Sequence, residues 1–188
     1  DSRQSRGLGD VYKRQGISIM RIVEELDAGP VLLKKSCPIN QEDTSGSMHI
    51  RLASLGGSAL GSALDQILHS TLSETPQDES QVTYAAKIKS EELAIDWTMA
   101  APAIHRKIRS LHPKPGARTV ISDMELKIIS ATVLMKKVKH SPGKVFIVDK
   151  TKLLVATGDG YLQIQELQVP GKKISEATTF INGYGKFL

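Results

Sequence analysis

Aliphatic and β-branched residues fill Gly16 to Val23 (GISIMRIV) and Val31 to Ile39, on either side of the polar stretch Glu24-Glu25-Leu26-Asp27-Ala28-Gly29-Pro30. Runs of this length predict strands, and a seven-residue break closed by Gly-Pro predicts an antiparallel hairpin. The period then changes. Met48, Leu52, Leu55, Ala59, Ala63 and Ile67 recur every three or four residues, which predicts an amphipathic helix capped by Thr44 and ending near Ser70. Gly56 and Gly57 interrupt it, and close packing of the helix on a sheet is the expected reason. Residues 73–98 have little periodicity, and the acidic Ser73 to Ser80 (SETPQDES) reads as a linker. A second helix carries Ala103, Ile104, Ile108 and Leu111 on one face and stops at Pro113 and Pro115. Five short strands follow, at Arg118–Ile121, Glu125–Leu134, Lys144–Val148, Lys152–Ala156 and Tyr161–Val169, separated by turn-forming residues. Five strands in about 50 residues predict a small barrel of the five-stranded oligonucleotide-binding type. A last helix is expected from Ser175.

The first fifteen residues (DSRQSRGLGDVYKRQ) show no sustained period, so a disordered or foreign tail is expected over 1–15. Four segments result: the tail, an α/β unit over 16–72, a linker over 73–98, and a β-rich unit over 99–188.

Charge sharpens this division. Residues 1–98 hold 10 Lys/Arg against 14 Asp/Glu and residues 99–188 hold 15 against 6, net charges of −4 and +9 within the chain's +5. A basic domain beside an acidic one points to a polyanionic partner for the former. Candidate phosphate contacts are Arg106, Lys107 and Arg109 on the second helix, Lys136, Lys137 and Lys139 before a Pro-Gly turn, and Lys172 and Lys173 after the last long strand. Aromatic residues make up only 4% of the chain, which suits reading of backbone or shape more than base stacking. Cys37 lies in a predicted strand and reads as a packed thiol; Trp97 reads as a core residue or an interdomain anchor. No Cys/His spacing suits a metal, and neither a secretory signal nor an 18-residue apolar run occurs, so a cytoplasmic monomer is expected.

By themselves, Glu24, Glu25 and Asp27 form a solvated acidic turn, and composition points to no enzyme. The order of motifs says more. Gly16-Ile17-Ser18-Ile19-Met20, Leu26-Asp27-Ala28-Gly29-Pro30 and Glu42-Asp43-Thr44-Ser45-Gly46 resemble the end of the active site in the 10-formyltetrahydrofolate-dependent formyltransferases. Val82 to Ile88 (VTYAAKI), Ile95-Asp96-Trp97, Ile108 to Ala117 (IRSLHPKPGA), Ala156 to Gly160 (ATGDG) and Gly171-Lys172-Lys173 resemble the methionyl-tRNA branch of that family. The resemblance covers about residues 16–188. It implies the end of a Rossmann-like catalytic domain followed by a basic, OB-like domain, with 10-formyltetrahydrofolate as formyl donor and initiator methionyl-tRNA as partner in translation initiation. It makes Asp27 the catalytic aspartate and lines a pterin pocket with the backbone of Val23, Glu24, Glu25 and Leu26.

In the family an Asn and a His two positions apart complete the site: the Asn donates to the developing oxyanion and the His moves protons. No Asn-x-His occurs in this chain, and the family's Ser-Leu-Leu-Pro segment and the preceding strands and helices are missing. A truncated reading frame without activity of its own is therefore expected. Two other readings stay open: a sugar-nucleotide formyltransferase fragment, which shares the Leu-Asp-x-Gly turn, and a stand-alone RNA-binding module.

Overall fold

The computed structural model describes residues 14–187. They fall into two compact units, one reaching to Asp43 and resuming over 47–85, the other made of 44–46 and 86–187.

The first unit holds β1 (Arg14–Met20), β2 (Val31–Pro38) and, from residue 47 onward, α1 (Ser45–Leu68). The two strands pair antiparallel from Arg14 opposite Pro38 to Met20 opposite Val31, so the hairpin forms as the sequence predicts. Two boundaries differ. Arg14 and Gln15, expected in the tail, open β1, while residues 1–13 lie outside the described part. At the other end β1 stops at Met20 instead of Val23, beyond a bulge at Ile19/Met20; Arg21 N–H donates to Pro30 O at 3.0 Å and closes a wider loop. Pro30 has no N–H to return the bond, so the ladder cannot continue there.

Helix α1 buries Ala59 and Ala63 fully. Lys35 of β2 ties it down by donating to Ser58 O at 3.2 Å and Ser62 Oγ at 2.9 Å. The expected reason for Gly56 and Gly57 does not hold. A Cβ at Gly57 meets nothing within 4 Å, and one at Gly56 meets only Ile17, at an ordinary 3.9 Å. Leu60, Leu64, Ile67 and Leu68 are about half exposed or more, so Ile67 leaves the predicted buried face.

The second unit holds α2 (Ala101–Leu111), β3 (Ala117–Ile121), β4 (Met124–Leu134), β5 (Val145–Val148), β6 (Lys152–Ala156), β7 (Tyr161–Gln168), β8 (Ser175–Glu176) and α3 (Ala177–Tyr184). The sheet order is β3-β4-β7-β6-β5, all antiparallel, with β8 pairing β7. Among the described residues the end strands β3 and β5 do not pair, so the sheet is not the closed barrel expected. Ser175 and Glu176 extend the sheet where a helix was expected to start, and α3 begins two residues later at Ala177.

Ile104, Ile108 and Leu111 of α2 join Leu126, Ile128, Leu153, Leu162, Ile164, Leu167 and Phe180 in one core. Bulges between Ile128 and Ala131 break the alternation of β4, which is why Ile128 and Ile129 are both buried. The segment expected as a linker contributes to this core too. Leu93 and Ile95 are buried, and Ile95 N–H donates to Arg118 O at 2.7 Å. Trp97 packs against the core and donates from Nε1 to Thr119 Oγ1 at 2.9 Å.

The Ala156-Thr157-Gly158-Asp159-Gly160 turn has a clear structural task. Ala100, at the start of α2, offers no side-chain cap. Asp159 Oδ1 accepts from Ala101 N–H at 2.7 Å instead, and so satisfies one of the helix's free N–H groups from 58 residues away. A Cβ at Gly158 would stand 2.2 Å from Thr98 O, so only glycine lets this turn come so close.

Candidate functional site

Asp27 sits at the tip of the loop between β1 and β2 with φ 56°, a left-handed conformation that Asp tolerates better than most residues. Its carboxylate makes no hydrogen bond to another described residue. Gly29 makes the turn possible: a Cβ there would lie 1.8 Å from Arg21 O, so the chain can double back only without a side chain. The Gly of the Leu-Asp-x-Gly pattern thus answers to a backbone contact across the loop.

Val23, Glu24, Glu25 and Leu26 are all exposed, Leu26 at 91%. Leu26 and Asp27 lie in a turn, and Val23 and Glu24 make no backbone hydrogen bond to another described residue. A cavity of about 460 Å³ lies at the base of the loop, lined by Arg21, Leu32, Ile67, Ser70, Leu72 and Glu74, and includes none of residues 23–27.

The loop is held from an unexpected direction. Thr75 and Val31 exchange backbone hydrogen bonds at 2.8 and 2.9 Å, and Glu74 pairs with Arg21. Gln77 Nε2 donates to Asp27 O and to Gly29 O, each at 2.7 Å. The acidic stretch read as a linker is, over 74–77, a strap on the Asp27 loop. Sequence reasoning missed Gln77 because its partners are 48 and 50 residues away. Behind the hairpin, Asp43 accepts two bonds from Arg51 at 2.7 Å, and these hold its carboxyl well below the usual carboxylate range. Asn40 N–H adds to the effect. Cys37 is half-buried in β2.

In the second unit the candidate cations do not form one cluster. The β4–β7 register sets Leu134 opposite Tyr161 and Lys127 opposite Gln168. Lys136, Lys137 and Lys139 follow Leu134; Lys172 and Lys173 follow Gln168. The two groups therefore leave opposite ends of one strand pair, about 23 Å apart at a strand rise of ~3.3 Å. All five are exposed. On α2, Arg106 is exposed, whereas Lys107 donates to Ala94 O at 2.6 Å and Arg109 is half-buried. Sequence analysis also missed an aromatic cluster beneath the first lysine group. His140 packs on Phe146 with centroids 4.1 Å apart and the rings tilted by 46°, Tyr161 meets both edge-on, and Lys139 N–H donates to Tyr161 Oη at 3.1 Å. No spacing signal marks these rings, because the sheet alone brings them together.

The family model of the formyl transferase C-terminal domain matches residues 87–185. The chain belongs to the formyltransferase family. A second formyl transferase model matches residues 4–64, so family similarity begins inside the stretch expected to be foreign. Methionyl-tRNA formyltransferase of Coxiella burnetii is 38% identical over 176 residues, 94% of this chain and 56% of that protein. The chain thus spans a little over half the length of such relatives. HypX from Aquifex aeolicus, solved with tetrahydrofolic acid, shares the fold at TM-score 0.72 and 22% identity, over 94% of this chain and 31% of its own. An N-formyltransferase from Helicobacter canadensis, solved with folinic acid and dTDP-3-aminofucose, aligns at TM-score 0.60 and 19% identity, over 80% of this chain and 55% of its own. The architecture is a formyltransferase fold with a sheet-rich C-terminal domain. No helix among the described residues is long and apolar enough to cross a membrane.

Proposed function

We propose that this chain is part of a methionyl-tRNA formyltransferase, which moves a formyl group from 10-formyltetrahydrofolate to the amino group of initiator methionyl-tRNA. The observation that carries the reading is the 38% identity to such an enzyme over 94% of the chain, with the Leu-Asp-x-Gly turn intact. In this reading residues 16–72 end the Rossmann-like catalytic domain, 73–98 connect it, and 99–188 form the OB-like domain.

Asp27 is the catalytic aspartate. An amine that adds to a formyl carbon must lose a proton, and the folate nitrogen that leaves must gain one. The Asp27 carboxylate, free to accept, orients the histidine that carries this proton and balances its charge. Val23, Glu24, Glu25 and Leu26 hold the pterin through their backbone groups. The oxyanion donor and the histidine are not among these 188 residues, since no Asn-x-His occurs in them.

Arg106, Lys107, Arg109, Lys136, Lys137, Lys139, Lys172 and Lys173 contact tRNA phosphates. The opposite placement of the two lysine groups favours a long polyanion over a sugar nucleotide, whose two phosphates cannot reach both ends of a strand pair. Titrating initiator tRNA binding against salt tests this. If about four phosphates are neutralised, log K falls against log salt with a slope of about −3 to −4. Lys172→Ala with Lys173→Ala should reduce the slope by about 2 and weaken all tRNAs alike. Binding of a dTDP-sugar in place of tRNA, or lysine variants that leave the slope unchanged, would sink the reading.

A further inference from the structure

We propose that Gln77 is a positioning residue of the formyl-transfer site, acting through the backbone of the Asp27 turn. The inference rests on the reading of Asp27 as the catalytic aspartate.

The loop from Arg21 to Pro30 has little to hold it. Its own backbone supplies one cross-loop bond, from Arg21 N–H to Pro30 O, and its tip residues are exposed. Asp27 is in the left-handed region, and Gly29 is pressed against Arg21. A turn of this kind relaxes unless something outside it fixes its carbonyl groups. Gln77 does so. A primary amide nitrogen has two N–H groups, and both are used, one on Asp27 O and one on Gly29 O. The two carbonyls flank Ala28, so the amide spans the turn on the side that follows the carboxylate. The approach of Gln77 is set two residues earlier, where Thr75 pairs with Val31, and by the Glu74–Arg21 ion pair.

Chemistry narrows the residue type. Glutamate has the same size but would aim acceptor oxygens at two carbonyl oxygens. Asparagine is one methylene short. Alanine removes the bonds and leaves the turn to itself. A shift of about 1 Å in a catalytic group can cost on the order of 10²-fold in rate, so a bond pair that fixes the Asp27–Ala28 and Gly29–Pro30 peptide units sets where the Asp27 carboxylate stands.

The test uses the whole chain, with Gln77→Ala, Gln77→Glu and, as a control four residues beyond, Gln81→Ala, whose side-chain amide donates to Asp78. Two readouts are taken: amide exchange over residues 21–31, and equilibrium binding of folinic acid, a stable formyl-folate. Gln77→Ala should speed exchange of the Arg21 and Val31 amides, the hydrogen-bonded N–H groups at the base of the turn, and weaken folinic acid, by roughly 30-fold each, the loss of two hydrogen bonds. Gln77→Glu should do at least as much harm despite its matching volume, and Gln81→Ala should change neither readout. A space-filling role predicts the reverse order, with glutamate near the parent and alanine worse. That order, or parent-like exchange and binding in Gln77→Ala, overturns the proposal. If the parent chain binds no folinic acid, the folate reading of the turn fails by itself, and parent-like exchange in Gln77→Ala then also removes the clamp.

Discussion

Replacing Gly29 with alanine places a methyl group where the backbone of Arg21 already stands. The added Cβ would lie 1.8 Å from Arg21 O and 2.9 Å from its carbonyl carbon. Carbon and oxygen come no closer than about 3.3 Å in ordinary contacts, so the loop walls must part by about 1.5 Å. Two hydrogen bonds run through this point: Arg21 N–H to Pro30 O at 3.0 Å, and Gln77 Nε2 to Gly29 O at 2.7 Å. Neither survives such an opening. At about 1 kcal/mol net for each bond, with residual strain, the local cost is about 2–4 kcal/mol. Hydrogen exchange followed by residue is the assay. The Arg21 amide and its neighbours in β1 and β2 should exchange roughly 30- to 700-fold faster, since each 1.4 kcal/mol is about ten-fold. Exchange in β6 and β7, which belong to the other unit, should not move. Arg21 protection within about three-fold of the parent would refute the close approach, and with it the account of why the turn requires glycine.

Two further predictions concern groups outside the turn. Asp159→Ala should destabilise the second unit by about 1–2 kcal/mol through loss of the α2 cap, and Asp159→Asn by less, because asparagine still accepts from Ala101 N–H; urea unfolding followed by Trp97 fluorescence reads both, and equal midpoints for parent and Asp159→Ala would exclude the cap. Asp43, held charged by Arg51, contributes stability that is complete above the ordinary carboxylate pKa of about 3.9 and is lost as pH falls from there towards its lowered folded value. Amide exchange of Asn40 should therefore rise, beyond its intrinsic pH dependence, between pH 5 and 2, as a rough window, in the parent and not in Asp43→Asn; the same rise in both would assign it elsewhere.

Local pattern was enough to find the hairpin, the long helix, α2 and each long strand of the second unit, because alternation and three-to-four spacing record which face of a single element meets a core. The Leu-Asp-x-Gly turn was legible for the same reason: it is the polar gap between two such runs. What failed to show in the sequence involved partners far apart along the chain. Residues 74–77 look like linker by composition, and Gln77 matters only because the fold returns it to Asp27 and Gly29. Leu93, Ile95 and Trp97 alternate over too few residues to mark a strand, yet they join the core once Ile95 binds the edge of β3. Five candidate lysines are divided between two ends of a strand pair by the β4–β7 register, which no count of charges contains. The sheet stays open between β3 and β5, although five strands with regular turns suit a barrel equally well. A sequence carries the period of each element directly, but pairing, register and closure are settled by burial and hydrogen bonding summed over the assembled unit, and the candidate site depends on those.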